Sequence, residues 1–548
     1  MFFYTEHGTD MLPPGALADP DSFERERAVY NALNNKIRNL LLSYDYSKTA
    51  DPLQPWSSHI TSLLIRDLPR TADITLSAAA DSFHLHKFLL SSRSPYFRRK
   101  FEHAPETETW KLSHTIPVEA FRVVLRYLYL GEILRDLVGP RSTVSEEDVF
   151  KGIDKLCKQL ELDRLWDAVL SLNDRRLARQ RHQDEVQRAQ SQVEAFFRDT
   201  VLKHKMVIDT RKVNEIKWPH DNAIFANCIL RADEFGGDGE VADEAEGPGL
   251  IPIGLPREEA AQNGQNESRK KQRSVLYPVH KAFLIRSPYF ETMFASEFKE
   301  AKDSEHLHVI KVDCIPEVLE IILTFLYTEK ADCPLEFALD LLYTSDMLLL
   351  DKLKTKAAVT ISTLGSGTNN ALVDRTHSGI AGDQGEVEVE PINVYDVIHA
   401  AWDLNVQRLE EFAARYLASR LEDYIDEEEF ADLIQESASR LKERQETDTI
   451  ELLDDIRYYL SERFKYRFDG DGLEEMLDEE GEISAEAVEG LALNESREKP
   501  TAEDSGVDGR VVTLDGELVE DEFASDAINY QILLGKIDKM LDRLKLDA

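Results

Sequence analysis

Histidines, cysteines and clustered carboxylates are the residues here that could do chemistry, and their spacing decides how far each can go. His84 and His86 alternate along one predicted strand, as do His306 and His308, which would put two imidazoles on one face. A metal centre needs a third or fourth ligand, and no suitable residue stands near either pair, so a structural role is expected. Cys157, Cys228, Cys314 and Cys333 are scattered without a Cys-x-x-Cys pair and suggest neither a zinc site nor a disulfide framework. Glu427, Glu428 and Glu429 read as a solvated helix start, where carboxylates suit the positive end of the helix, rather than as an acid and base pair. Gly236-Gly237-Asp238-Gly239 and Gly365-Ser366-Gly367 sit in polar stretches, not between a strand and a helix, and cannot cradle a phosphate. No catalytic residue, cofactor site or metal ligand is assigned.

A triplet of another kind is Phe298-Lys299-Glu300, at the end of the continuation Thr292 to Glu300 of a predicted helix. At an exposed turn a large aromatic can anchor in a partner's pocket while a carboxylate accepts hydrogen bonds at the rim. The competing reading packs Phe298 into its own domain.

The elements that position this triplet occur twice. His86-Lys87-Phe88-Leu89-Leu90-Ser91-Ser92-Arg93-Ser94-Pro95-Tyr96-Phe97 returns, one residue shorter, as His280-Lys281-Ala282-Phe283-Leu284-Ile285-Arg286-Ser287-Pro288-Tyr289-Phe290. The separation of Ser94 and Ser287 is several times the roughly 20 to 50 residue period of solenoids and propellers, so each copy must bury its own core. Phe83 and Leu85, or Tyr277 and Val279, alternate with other residues as in a half-buried strand. A helix follows, and Pro95 or Pro288 then opens a second one. Phe97 with Phe101, and Phe290 with Phe294, fall four apart on one helical face and are expected in the core. Phe121, Val124, Leu125 and Leu128 give the stripe of an amphipathic helix, matched by Leu319, Ile322, Leu323 and Leu326.

Asp73-Ile74-Thr75-Leu76 before the first phrase, Asn227-Cys228-Ile229-Leu230 before the second, and Leu162-Asp163-Arg164-Leu165 or Leu350-Asp351-Lys352-Leu353 closing each copy complete an ordered set. This set resembles the BTB/POZ family, which implies an α+β fold: two domains with helices clustered on a small sheet. The signature positions carried over are Asp73, His86, Lys87, Ser94, Pro95, Tyr96 and Phe97, then His280, Lys281, Ser287, Pro288, Tyr289 and Phe290. Asn227 stands where the resemblance places an aspartate, and Asn keeps hydrogen bonding while removing a charge. Phe298-Lys299-Glu300 is similar to the hydrophobic-x-Glu pattern of cullin-3-binding BTB domains; the first copy has Pro105, Glu106 and Thr107 there.

The expected organisation is an N-terminal helical segment (1–57), a first BTB domain (58–172), a helical linker (173–218) and a second BTB domain (219–360) with a disordered insert (232–274). A polar linker (361–391), a helical region similar to the BACK extension (392–468), an acidic disordered stretch (469–526) and a C-terminal amphipathic helix (527–548) follow. Leu533, Ile537, Met540, Leu541 and Leu544 form the stripe of that last helix, expected to dock back on the helical region. Arg175, Arg176, Arg179 and Arg181 make the start of the linker basic, read as a solvated face. The whole order is similar to ankyrin-repeat and BTB/POZ proteins of fungal type. It departs from them in having no Thr-Pro-Leu-His-like ankyrin signature before the first copy, so that the repeats are lost or the chain starts late.

At 548 residues and 42% hydrophobic content, the chain can hold about three packed units. No run of roughly 18 apolar residues and no secretion signal is visible, so no membrane span is expected, and Asn266-Glu267-Ser268 and Asn494-Glu495-Ser496 are set aside as glycosylation sites. The net charge of −39 opposes broad contact with nucleic acid. Proteins are the expected partners: cullin-3 and an unknown substrate, with homo-oligomerisation or pairing of the two BTB copies within the chain as alternatives. The scattered cysteines fit a cytoplasmic location, and Arg269-Lys270-Lys271-Gln272-Arg273 would add the nucleus if it serves as an import signal. The expected function is that of a non-catalytic cullin-3 substrate adaptor. The alternative is a BTB-mediated scaffold or transcriptional co-repressor.

Overall fold

The computed structural model describes residues 52–78, 81–133, 135–138, 144–234, 273–296, 298, 304–365, 392–444, 451–468 and 522–546. The expected N-terminal helix, nearly all of the insert, Lys299, Glu300, most of the polar linker and the acidic stretch lie outside them. Two compact units divide the chain, one up to Ala331 and one from Asp332.

The first unit begins with helix α1 (Gln54–Ser62), which spans the expected domain start at residue 58 and buries Trp56 and Ile60. Strands β1 (Ile74–Ala78) and β2 (Asp81–Leu85) pair antiparallel with Leu76 opposite Phe83. Helices α2 (Lys87–Arg93) and α3 (Pro95–His103) follow, and β3 (Thr109–Lys111) returns parallel to β1. The Ser94 hydroxyl caps α3 by accepting the Phe97 N–H, and Phe97 stacks on Phe101 at 5.5 Å in the core. Helix α4 (Val118–Leu128) buries Phe121, Val124, Leu125 and Leu128. Helices α5 (Glu146–Leu160) and α6 (Leu165–Leu170) close the copy. Glu161, at a positive φ of 57°, breaks the chain between them, so Leu162-Asp163-Arg164-Leu165 is a helix junction.

The long helix α7 (Arg175–Phe197) ends in a π turn (Arg198–Leu202). Beyond it the α-helix does not continue, in contrast to the helical linker expected over 173–218: a strand comes first and then a single 3-10 helix, Thr210–Glu215. Met206–Asp209 forms strand β4, antiparallel to β6 with Met206 opposite Leu276. Val213 is buried with Ile224, Ile229 and Leu276, so the linker's second half completes the second copy's core. Alternation over Met206–Asp209 is only half buried, which is why the strand was not legible.

In the second copy β5 (Cys228–Asp233) pairs antiparallel with β6 (Arg273–Val279), Leu230 opposite Tyr277. Asp233 faces Ser274, so the strands run into both ends of the expected insert and only residues 235–272 fall outside the description. Helices α8 (Lys281–Leu284) and α9 (Pro288–Ala295), strand β7 (Val309–Lys311) parallel to β5, and helix α10 (Pro316–Thr328) repeat the first copy's order. His306 and His308 precede β7 rather than lying along it, and His86 caps a helix just beyond β2, so neither histidine pair shares a strand.

The second unit is helical. Helices α11 (Leu335–Met347) and α12 (Asp351–Ser362) belong by sequence to the second copy. Helices α13 (Val394–Asp403) and α14 (Gln407–Ala418) are separated at Asn405, whose φ of 52° ends the first run. A short helix α15 (Leu421–Tyr424), α16 (Glu428–Arg444), α17 (Glu451–Phe468) and α18 (Glu522–Leu544) complete it. Leu533 and Ile537 of α18 are buried, Phe464 of α17 lies 5.1 Å from Tyr530, and Asp538 pairs with Arg457 at 3.0 Å.

Candidate functional site

The repeated phrase is a device for joining one strand to three helices. In the first copy the His86 backbone N–H donates to the Tyr129 hydroxyl at 2.9 Å, and the imidazole Nδ1 contacts the same oxygen at 3.1 Å. In the second copy His280 and Tyr327 repeat this at 3.0 and 2.7 Å. The His280 Nε2 donates to the Ile224 carbonyl at 2.8 Å, which leaves Nδ1 to accept from Tyr327. Burial pushes the His86 pKa down to about 4 and that of His280 to about 3, so both rings stay neutral. Arg93 donates to the Leu128 and Tyr127 carbonyls, and Arg286 to those of Phe325 and Leu326; each satisfies the end of its copy's long helix.

Asp73 and Asn227 do the same work with different charge. Asp73 Oδ1 accepts the Lys87 backbone N–H at 2.7 Å, and Asn227 Oδ1 accepts that of Lys281 at 2.6 Å. Neither lysine ammonium makes the bond. Lys87 Nζ donates to the Pro105 carbonyl at 2.6 Å, and Lys281 Nζ lies 4.9 Å from the Phe294 ring centre. Asp73 is half-buried, and the desolvation of its carboxyl raises its pKa to about 7 despite the Lys87 N–H and charge.

The two copies pair with each other inside this one chain. Phe88 of the first copy lies 4.1 Å from the His280 ring, 5.2 Å from Phe283 and 5.5 Å from Tyr327. Helix α7 seals the seam: Phe196 meets Phe88 at 5.0 Å and Phe197 stacks on Tyr327 at 4.4 Å. Helix α1 adds two bonds to the second copy, Trp56 Nε1 to the Tyr327 carbonyl and His59 Nε2 to the Ala282 carbonyl, both 2.7 Å. Asp73, Asn227, His86 and His280 line one void of about 10 Å³ at the seam, so no ligand fits there. A buried ion pair stands at the edge, Arg93 to Glu185 at 2.6 Å, with Arg188 on the same carboxylate at 2.8 Å. Burial opposes ionisation of Glu185, but Arg188 and Arg93 hold its carboxyl below the usual range.

Among the protein-binding residues expected from sequence, Phe298 is well exposed, at 62%. Helix α9 carries it outward: Ser287 caps the helix, Phe290 and Phe294 are buried, and Tyr289 stays exposed. The helix stops at Ser296, whose hydroxyl donates to the Met293 carbonyl at 2.7 Å and accepts the Phe298 N–H at 3.5 Å. In the first copy Pro105 is held by Lys87, and Thr107 folds back on the Ala104 carbonyl at 2.8 Å, so no aromatic projects there.

Among the described residues no three of His, Cys, Asp or Glu come together as a metal site would require, and no helix is long and apolar enough to cross a membrane.

The BTB/POZ domain pattern matches residues 65–175 and 271–363. The chain is 33% identical over 460 residues to BTB/POZ domain-containing protein 3 of Schizosaccharomyces pombe, covering 83% of this chain and 72% of that protein. An ankyrin repeat-containing protein of Saccharomyces cerevisiae is 30% identical over 484 residues, 85% of this chain and 81% of that one. BTB/POZ domain-containing protein 9 of Drosophila melanogaster is similar over a shorter stretch, 28% identical across 104 residues, 19% of this chain and 14% of that protein.

Proposed function

Because the chain belongs to the BTB/POZ domain family, whose domain binds other proteins, we propose that it is a substrate adaptor of a cullin-3 RING ubiquitin ligase. The second copy recruits the cullin and the rest of the chain positions a protein substrate. The observation that carries this reading is Phe298, exposed immediately after a rigid helix whose own aromatics are buried. A large apolar side chain held in water by a built turn is what a hot-spot anchor requires. The first copy offers no equivalent, which supports recruitment through the second copy.

A scaffold that assembles through its BTB copies would present their pairing faces to other chains. Here Phe88, Phe283 and Tyr327 already occupy those faces within the chain. Binding of the full chain to the purified N-terminal region of cullin-3, measured by calorimetry, is the test. The expected result is 1:1 binding, weakened by about 2 kcal/mol or more in Phe298→Ala with an unchanged melting temperature. No binding by wild type would return the chain to the scaffold reading; equal affinity of wild type and variant would remove Phe298 as the anchor.

A further inference from the structure

The linker helix α7 begins beside a cavity of about 720 Å³ in the first copy, within the range of roughly 300 to 1,000 Å³ that ligand sites occupy. The charged lining is Glu132, Arg135, Arg179, Arg181, His182 and Glu185. Glu185 is already neutralised from behind by Arg93 and Arg188, which leaves three guanidinium groups facing one carboxylate. Such a concentration of positive charge runs against the chain's net charge of −39.

Two of the cations are held in place. Arg135 donates from Nε to the Leu172 carbonyl at 3.0 Å and from Nη2 to that of Asn173 at 3.4 Å. Arg181 donates to the Asp167 carbonyl. Each bond uses part of a five-donor fork, so both groups keep N–H donors for an incoming anion while losing little freedom on binding it. Arg179 is exposed at the mouth. Leu130 and Leu172 supply apolar surface between them.

We propose that this cavity binds a short acidic peptide, its carboxylates pairing with Arg135, Arg179 and Arg181 while an adjacent apolar side chain covers Leu130 and Leu172. A free inorganic anion would use the arginines and leave the apolar floor wet. A nucleic-acid backbone, with its long run of phosphates, would be opposed by the chain's net charge of −39. A short peptide meets mainly the local field, because charges more than about 8 to 10 Å away are screened at physiological salt. The site lies in the copy without an exposed aromatic anchor and does not depend on cullin recruitment.

The test is fluorescence anisotropy of the full chain with a labelled peptide alternating Glu-Glu and Leu, and with its Gln counterpart. Only the Glu peptide is expected to bind, its affinity falling about tenfold or more between about 50 and about 300 mM salt. Arg179→Glu, at an exposed position, should weaken binding about tenfold or more, Arg179→Lys far less, and Phe298→Ala not at all. Failure of the Glu peptide to bind, equal binding of both peptides, or indifference to Arg179→Glu would overturn the proposal. Full displacement of the peptide by inorganic phosphate at constant ionic strength would also overturn it, by showing a simple anion site.

Discussion

Asp73 and Asn227 occupy the same place in the two BTB copies, and each side-chain oxygen accepts the backbone N–H of the lysine that opens the next helix, at 2.7 and 2.6 Å. The second copy thus shows that the bond needs an oxygen and not a charge. Both groups line the same small void. An aspartate in each copy would bring two carboxylates there, whereas one Asp and one Asn leaves a single carboxyl beside His86 and His280.

That asymmetry predicts a pH dependence. Burial raises the Asp73 pKa to about 7, so the folded chain keeps a proton that the unfolded chain loses above about pH 4. Its contribution is therefore fully present at low pH and is lost as pH rises through about 7, by about 1.4 kcal/mol for each unit of the shift. Asp73→Asn keeps the bond and removes the titration. Relative to wild type it should gain melting temperature from pH 5 to about 7 and level off above; a constant difference from pH 5 to 7 would mean that Asp73 ionises normally.

The buried His86 and His280 and the half-buried His59 act with the opposite sign. Burial pushes His59 and His280 down to about 3 and His86 to about 4, so the unfolded chain takes up protons below about pH 6.5 that the folded chain refuses. Stability from these sites is present above pH 6.5 and lost on acidification. Three histidines outweigh one aspartate, and acid unfolding of the paired copies should begin between pH 6.5 and 4. His280→Gln, which cannot protonate, should flatten the slope of denaturant midpoint against pH in that window even if it lowers the midpoint overall.

Phe88 is the side chain on which the pairing turns, since it touches Phe196 of the linker and three aromatic rings of the second copy. Phe88→Ala should cost about 3 to 5 kcal/mol in urea unfolding, because packed rings on every side limit collapse into the cavity. A loss below about 1 kcal/mol would mean that the seam between the copies is loose.

The repeat, the core aromatics and the amphipathic helices were legible because each is a local pattern: Phe97 with Phe101 needs only the helical period. The pairing of the copies was left open, since nothing near Phe88 in sequence says that its neighbours come from residues 196, 280, 283 and 327. Strand β4 was missed for a related reason. A short edge strand takes its identity from the strand beside it, here β6, rather than from its own alternation. The Arg-lined cavity was visible only as basic residues at 175–181, because Arg135 and Leu130 reach it from a turn far off in sequence.

The terminal helix α18 gives the last prediction. Leu533, Ile537, Met540 and Leu541 are buried, and its polar side is tied by Asp538 to Arg457 and by Lys536 to Asp426, at 3.0 and 2.6 Å. Both ion pairs are largely exposed and contribute little, so the apolar stripe is what holds the helix. Introducing Asp at Ile537 and Leu541 together would bury two unpaired carboxylates, which the fold can avoid only by undocking the helix. Amide exchange should then accelerate along the helix from residue 529 onward and rise in α17 around Phe464, which packs on Tyr530. The helices at 394–403 and 407–418, held by their own buried faces, should stay protected. Unchanged protection of α17 in the double variant would show that the terminal helix adds nothing to the stability of the helices beneath it.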